Sequence, residues 1–252
     1  VLDDLLTLAS NLAWSAAEII LALRARGCAT EAKPDLSPIT EADRQSEAVI
    51  LRGLRAATPH IEIVAEEEIG AGYLPAHSRD VWLIDPLDGT REFVALRDGF
   101  TVNIGLVRDG RPILGVVAVP DCAQMYGGIV GQGAWKQDGA GRHPITVRPP
   151  PVAGLAVLAS RLGAENPQLL AALQGAHVAS LRVLGSALKF CRIAEGAADA
   201  YVRLGRTMEW DTAAGEAILT AAGGSLRRLD GGSLGYGKPG WVNPPFICRG
   251  GT

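Results

Sequence analysis

The chain has 252 residues, of which 48% are hydrophobic and 20% charged, a composition suited to one large or two small globular domains. Its net charge of -3 excludes the broad basic face of a nucleic-acid binder but not a small anionic ligand held by a few local cations. Its strongly apolar runs fall short of the ~20 residues of a membrane span and no charged-then-apolar leader opens it, so no transmembrane segment is expected.

The spacing of Leu2, Leu5, Ala9, Leu12, Ala16, Ile19 and Leu23 predicts one amphipathic helix over 2–26. Asp3 and Asp4 suit its start, Arg24 and Arg26 its end, and Gly27 its stop. Residues 33–40 form a loop, and Thr40 is a good N-cap for a second helix running to Ala57. Asp43 falls at the third position of that helix, where a capping-box carboxylate is the local reading. A strand over 61–65 empties into Glu66, Glu67 and Glu68, which read either as a solvated charge run or as part of a cation site. Gly70, Gly72 and Pro75 mark a flexible connection to a second strand, 81–84. That strand ends in the loop Asp85-Pro86-Leu87-Asp88-Gly89-Thr90, ahead of a helix over 91–96.

Alternating apolar residues then predict an antiparallel meander over 101–107, 112–119, 125–130 and 134–136, with an Asp109-Gly110 hairpin turn. Pro149, Pro150 and Pro151 suggest a boundary between two domains, 1–150 and 151–252. Strands over 155–159, 177–183, 200–203, 225–228 and 246–249 interleave with helices over 167–173, 186–195 and 212–222, as in an α/β layer. Asp211 stands where an N-cap of the last helix would be.

Chemistry must rest on carboxylates. Cys28, Cys122, Cys191 and Cys248 are scattered without a C-x-x-C pair, as reduced thiols of a cytosolic protein are. His60, His77, His143 and His177 show neither metal-ligand spacing nor a Ser-His-Asp set. Asp85 and Asp88 place hard oxygen ligands beside the N–H groups of Gly89 and Thr90, so one side suits a divalent cation and the other a phosphate. Two-ion hydrolysis of a phosphate ester needs such a cluster. In it Asp85 can bridge two ions, with Asp88 and the Leu87 carbonyl beside it. Glu66 can bind an ion and orient the attacking water, and Thr90 can hydrogen-bond that water or the phosphate. Asp211 would join through a long-range return of the chain; its local alternative is a plain cap.

Three stretches carry a resemblance. Residues 82–93, with Asp85-Pro86-Leu87-Asp88-Gly89-Thr90 and Phe93, resemble the D-P-x-D-G-T-x-x-F hallmark of the inositol monophosphatase superfamily. Trp210-Asp211-Thr212-Ala213-Ala214-Gly215 resembles its second hallmark, and Ala65-Glu66-Glu67 its strand-end glutamate pair. Within the superfamily the likeness is to the CysQ-type 3'(2'),5'-bisphosphate nucleotidases. The stretch from Lys33 to Asp43 resembles their K-x-D-x-S-P-V-T-x-A-D, and Thr101-Val102-Asn103-Ile104 their T-V-N-I. Residues 185–191 resemble their G-S-S-L-K-F-C, with Ala187 in place of a small polar residue.

The resemblance implies an α+β fold, a five-layered α-β-α-β-α sandwich with Mg²⁺ at the domain junction, two ions with a third, weaker site. It implies metal ligation by Glu66, Asp85, the Leu87 carbonyl, Asp88 and Asp211, with Asp43 in an outer shell or at the third ion. Glu66, Thr90 and Asp43 would be catalytic, and Gly89 and Thr90 would also touch the substrate phosphate. Ser186, Lys189 and Arg203 would meet the nucleotide's other groups; as bare residues, Lys189 and Arg203 read equally as surface charge. The implied reaction releases the 3'-phosphate of adenosine 3',5'-bisphosphate, or of its phosphosulfate analogue, to leave AMP in sulfate assimilation, with inhibition by lithium. The implied enzyme is a cytoplasmic monomer or homodimer, with a place on the inner face of the membrane left open, and acts on no nucleic-acid polymer. An inositol phosphate or sugar bisphosphate phosphatase of the same superfamily is the second reading. A non-catalytic phospho-ligand sensor is the third, and the presence of Thr90 and every carboxylate weighs against it.

Overall fold

The computed structural model describes residues 1–32, 38–76, 78–161 and 166–251. The Lys33–Ser37 part of the resemblance therefore lies outside the described residues.

The first half opens with helix α1 (Leu2–Arg26), followed by the paired short strands β1 (Thr30–Ala32) and β2 (Pro38–Thr40) and helix α2 (Glu41–Ala57). Next come β3 (Glu62–Ala65), α3 (Glu66–Gly70), β4 (Asp80–Asp88) and α4 (Thr90–Val94). The meander follows as β5 (Thr101–Arg108), β6 (Arg111–Val119), β7 (Gln124–Ile129), β8 (Gly133–Asp138) and β9 (Gly141–Ile145). The second half holds β10 (Leu155–Ala159), α5 (Gln168–Ala172), β11 (Val178–Val183), α6 (Leu188–Ala194) and β12 (Ala200–Arg203). It closes with β13 (Thr207–Met208), α7 (Ala213–Ala221), β14 (Ser225–Arg228), β15 (Val242–Asn243) and β16 (Phe246–Arg249).

Two large sheets organise the molecule. Seven strands run in the order β3-β4-β5-β6-β7-β8-β9, and five in the order β11-β10-β12-β16-β14. Along β4, Trp82 and Ile84 face one side and Leu83 the other, as the period of a strand requires. The first side packs on α1 and α2 through Leu6, Ala9, Ala13, Ala16, Ile20, Ile50 and Leu54. The second packs on α6 and α7, whose far sides meet Tyr201, Leu226, Phe246 and Cys248 of the five-stranded sheet. The outer face of that sheet packs Val157, Ala200 and Val202 against Leu169 and Leu173, in and just beyond α5. The layers are thus α-β-α-β-α, the expected sandwich.

Several local expectations change. The three glutamates form no loop but begin α3. Strand β4 does not stop at Ile84; it runs through the expected loop to Asp88, with its register against β5 shifting between Asp85 and Asp88. Asp211 does not cap α7: it ends a 3-10 turn, Glu209–Asp211, and Thr212 takes the N-cap position. Strands β1, β2, β9, β13 and β15 are too short or too polar to stand out by periodicity. Helix α1 also meets the length and hydropathy of a membrane span, contrary to the expectation from its apolar runs. Here its alanine-rich stripe lies on the sheet and α2.

Candidate metal centre and adjoining basic cavity

Strand direction brings the first two carboxylates together. β3 and β4 pair in parallel, with Ala65 opposite Ile84. The next residue of each strand, Glu66 and Asp85, therefore comes at the same end of the pair: Glu66 leaves the sheet to begin α3, while Asp85 stays paired with Asn103 of β5. The Leu87 N–H turns back to Asp85 Oδ1 at 3.0 Å, and the Leu87 carbonyl accepts from the Thr90 hydroxyl at 3.1 Å. Gly89 then takes φ 95°, and a Cβ there would meet the Phe100 Cα at 3.3 Å. Glycine fits this turn on both counts.

The third carboxylate arrives by close packing. A Cβ on Gly115 would lie 2.2 Å from the Ala214 carbonyl oxygen, and one on Gly105 would lie 2.8 Å from the Ala214 nitrogen. These two glycines face each other across β5 and β6, so α7 beds its backbone directly on the sheet. The turn that precedes α7 then sets Asp211 over β4. Glu66, Asp85 and Asp211 offer oxygens that all lie within 4.8 Å of one another. Together with Leu87, Asp88, Gly89 and Thr90 they line a cavity of about 560 Å³.

Hydrogen bonds hold the set in place. Asp211 Oδ2 accepts from the Met208 N–H at 2.9 Å. Asp88 Oδ2 accepts from Asn103 Nδ2 at 3.3 Å and from the Ala187 N–H at 2.7 Å, tying it to the start of α6. Asp43 caps α2 and also reaches Thr90. One oxygen takes the N–H and hydroxyl of Thr40 at 2.7 and 2.6 Å as a capping box, and the other takes the Thr90 hydroxyl at 3.1 Å.

The electrostatics call for a cation. Burial, and then the neighbouring carboxylates, hold Asp85 and Asp211 well above the usual carboxylate range. Asp88 is also raised by burial, against the pull of Lys189. Burial likewise raises Asp43, against its bonds from Thr40. A set of oxygen donors, crowded and short of positive charge, fits a hard divalent ion.

A second cavity of about 850 Å³ shares Asp88, Gly89, Arg91, Glu92 and Arg206 with the first. Ser186, Lys189 and Arg203 line it, as do Arg97 and Arg161. Lys189 is no surface charge: it is 3% exposed, and its Nζ donates to the carbonyls of Ser186 at 2.6 Å and Leu184 at 3.1 Å. Burial lowers its pKa to about 8, against the attraction of Asp88. Ser186 sits at φ 49°, and its hydroxyl donates to the Gly99 carbonyl at 2.7 Å, closing two loops on each other. The Arg203 guanidinium is braced by the carbonyls of Gly205 and Arg206. Glu92 and Arg161 pair across this cavity at 3.4 Å. The sequence placed Asn103 only within a resembling stretch and gave it no role, although a polar residue inside an apolar strand was a signal. It also passed over Arg97, Arg161 and Arg206, which carry no local signature.

A sequence model of the inositol monophosphatase family matches residues 1–246. The chain is 42% identical over 217 residues to the 3'(2'),5'-bisphosphate nucleotidase CysQ of Escherichia coli (strain K12), covering 85% of this chain and 86% of that one. It is 32% identical over 243 residues to the CysQ of Aggregatibacter actinomycetemcomitans, covering 94% and 89%. The solved structure of CysQ from Bacteroides thetaiotaomicron, a bacterial member of the inositol monophosphatase family, is similar with a TM-score of 0.79 at 31% identity, over 99% of this chain and 98% of that one. An inositol monophosphatase from Anabaena gives the same TM-score at 28% identity, over 99% and 92%.

Proposed function

The chain belongs to the inositol monophosphatase family, and from that premise we propose that it is a metal-dependent 3'(2'),5'-bisphosphate nucleotidase. It hydrolyses the 3'-phosphate of adenosine 3',5'-bisphosphate to AMP and phosphate, and in this reading acts in sulfate assimilation. The observation that carries this reading is the 42% identity to a CysQ enzyme over 85% of the chain. The basic cavity beside the carboxylates supports it, because a nucleoside bisphosphate brings a second phosphate that an inositol monophosphate lacks. A cytoplasmic location goes with the same reading. Residues 1–150 and 151–252 form the two domains in this account.

Glu66, Asp85, the Leu87 carbonyl, Asp88 and Asp211 are the residues that hold the metal. The ion would be Mg²⁺, two per chain, with a third, weaker site beside Asp43. When bound, the ions neutralise phosphate charge and acidify a water. Glu66 orients that water from the strand end. Thr90, whose hydroxyl donates to Asp43 at 3.1 Å, would accept a hydrogen bond from that water and help to hold it. Asp43 would act on the reaction through this bond to Thr90. The Gly89 and Thr90 N–H groups hold phosphate oxygens as the bridging P–O bond breaks. Ser186, Lys189 and Arg203 orient the rest of the nucleotide, with Lys189 and Arg203 countering its second phosphate.

Phosphate release from adenosine 3',5'-bisphosphate and from inositol 1-phosphate, with and without Mg²⁺ and Li⁺, tests the assignment. The expected result is Mg²⁺-dependent, Li⁺-sensitive release that prefers the nucleotide. Preference for inositol 1-phosphate would support the second reading, which the equal TM-score of the Anabaena enzyme keeps in view. Binding of either compound without hydrolysis would instead mark a sensor.

A further inference from the structure

One buried carboxylate has no part in the chemistry above. Glu47 lies on α2, one turn beyond Asp43, and is 4% exposed. Its Oε2 accepts from the Glu67 N–H at 2.8 Å and its Oε1 from the Glu68 N–H at 3.0 Å. These are donors that the first turn of any helix leaves unmatched. At the N-cap of α3 stands Ala65, which has no side-chain oxygen to meet them. The helix is five residues long, too short to hold itself by its own hydrogen bonds. It also begins with three glutamates in a row. A fourth carboxylate beside them brings electrostatic repulsion, so its presence calls for a compensating role. Glu68 is drawn aside by Arg55, whose Nη2 donates to its two oxygens at 2.7 and 2.8 Å.

We propose that Glu47 is a positioning residue for the metal centre. By taking the Glu67 and Glu68 N–H groups it turns the chain from β3 into α3 at Ala65, and that turn aims Glu66 at Asp85 and Asp211. Helix α2 then serves the site twice: Asp43 holds the Thr90 hydroxyl, and Glu47 holds the turn that carries Glu66. The inference rests on reading the carboxylate cluster as the metal centre.

The test is calorimetric binding of Mn²⁺ to the full chain without substrate, alongside kcat and KM for adenosine 3',5'-bisphosphate. Glu47→Gln keeps the size of the side chain and one accepting oxygen; Glu47→Ala removes both. Lost support behind a metal ligand predicts a dissociation constant raised on the order of tenfold in Glu47→Gln. A lower kcat with unchanged KM is expected beside it. Asp85→Asn is the control and should abolish binding. Wild-type Mn²⁺ affinity in Glu47→Gln beside a null Asp85→Asn overturns the role of Glu47 while leaving the metal centre standing. Wild-type affinity in both variants overturns the metal centre, and the inference with it. A fall in thermal stability with unchanged metal affinity overturns the positioning role as well. Should Glu47→Ala fail to fold, Glu47→Gln decides.

Discussion

Gly115→Ala should disable the enzyme from a position that contributes no ligand. Gly115 lies on β6, and the added methyl would sit 2.2 Å from the Ala214 carbonyl oxygen, where real contacts of a Cβ begin near 3.0 Å. Neither partner is a flexible side chain, so strand and helix must part by about 0.8 Å. Overpacking of this kind costs about 1–3 kcal/mol. In a chain of this length each kcal/mol lowers Tm by roughly 2–4 °C. The larger effect is on rate. Asp211 immediately precedes α7, so the retreat carries it away from Glu66 and Asp85. A misplacement of about 1 Å costs on the order of 10²-fold in kcat. The assay is steady-state phosphate release at several Mg²⁺ concentrations, with thermal unfolding of the same samples. Gly139→Ala, where a Cβ meets nothing within 4 Å, is the control and should behave as wild type. Wild-type kcat and Mg²⁺ dependence in Gly115→Ala would refute the claim that the seating of α7 sets Asp211.

Asp88→Asn and Asp211→Asn should each lose at least about 10²-fold in Mg²⁺-dependent turnover with an unchanged circular dichroism spectrum. Near-wild-type turnover in both would sink the metal assignment. Arg203→Gln removes a charged donor worth about 1.5–3 kcal/mol. It should therefore lower kcat/KM for adenosine 3',5'-bisphosphate by about 10–100-fold and leave inositol 1-phosphate hydrolysis unchanged. Glu47 and Glu216 are both pushed up to about 7 by burial, and Asp85 and Asp211 are raised well above the usual range. The folded, metal-free protein thus holds protons that the unfolded chain has released, so its stability should fall as pH rises from about 4.5 through 7. Thermal melts in EDTA across that window measure the slope, and Glu216→Gln should flatten it. Mg²⁺ should restore stability at the alkaline end, because binding there displaces fewer protons.

Much of the site was legible because its signals are local. Asp85, Asp88, Gly89 and Thr90 stand within six residues and carry the turn, the ligands and the helix start together. Thr40 and Asp43 announce a capping box, which forms as expected. What stayed hidden depends on partners distant in the chain. The capping reading of Asp43 does not exclude a place in the site, because one oxygen takes Thr40 and the other takes the Thr90 hydroxyl. Lys189 reads equally as a nucleotide contact and as surface charge, because nothing in Leu188-Lys189-Phe190 shows that two backbone carbonyls meet its ammonium in a buried pocket. Of the three adjacent glutamates, the structure turns Glu68 toward Arg55 and brings a Glu66 oxygen within 4.8 Å of those of Asp85 and Asp211, a division that no local signal announces.

By itself the sequence determined the elements and the chemistry each can offer. Periodicity specifies helices and strands, and residue type specifies an oxygen-rich, phosphate-directed loop, since both follow from neighbours a few bonds away. The tertiary structure alone decided that three carboxylates from distant segments meet. That outcome needs the parallel pairing of β3 with β4, which brings Glu66, just past β3, beside Asp85 of β4. It also needs the Gly105–Gly115 pair, on which α7 comes to rest. Neither feature is a property of any one stretch. Crowding buried carboxylates opposes folding until a cation compensates their charge, so the rest of the core must supply the stability to hold them there.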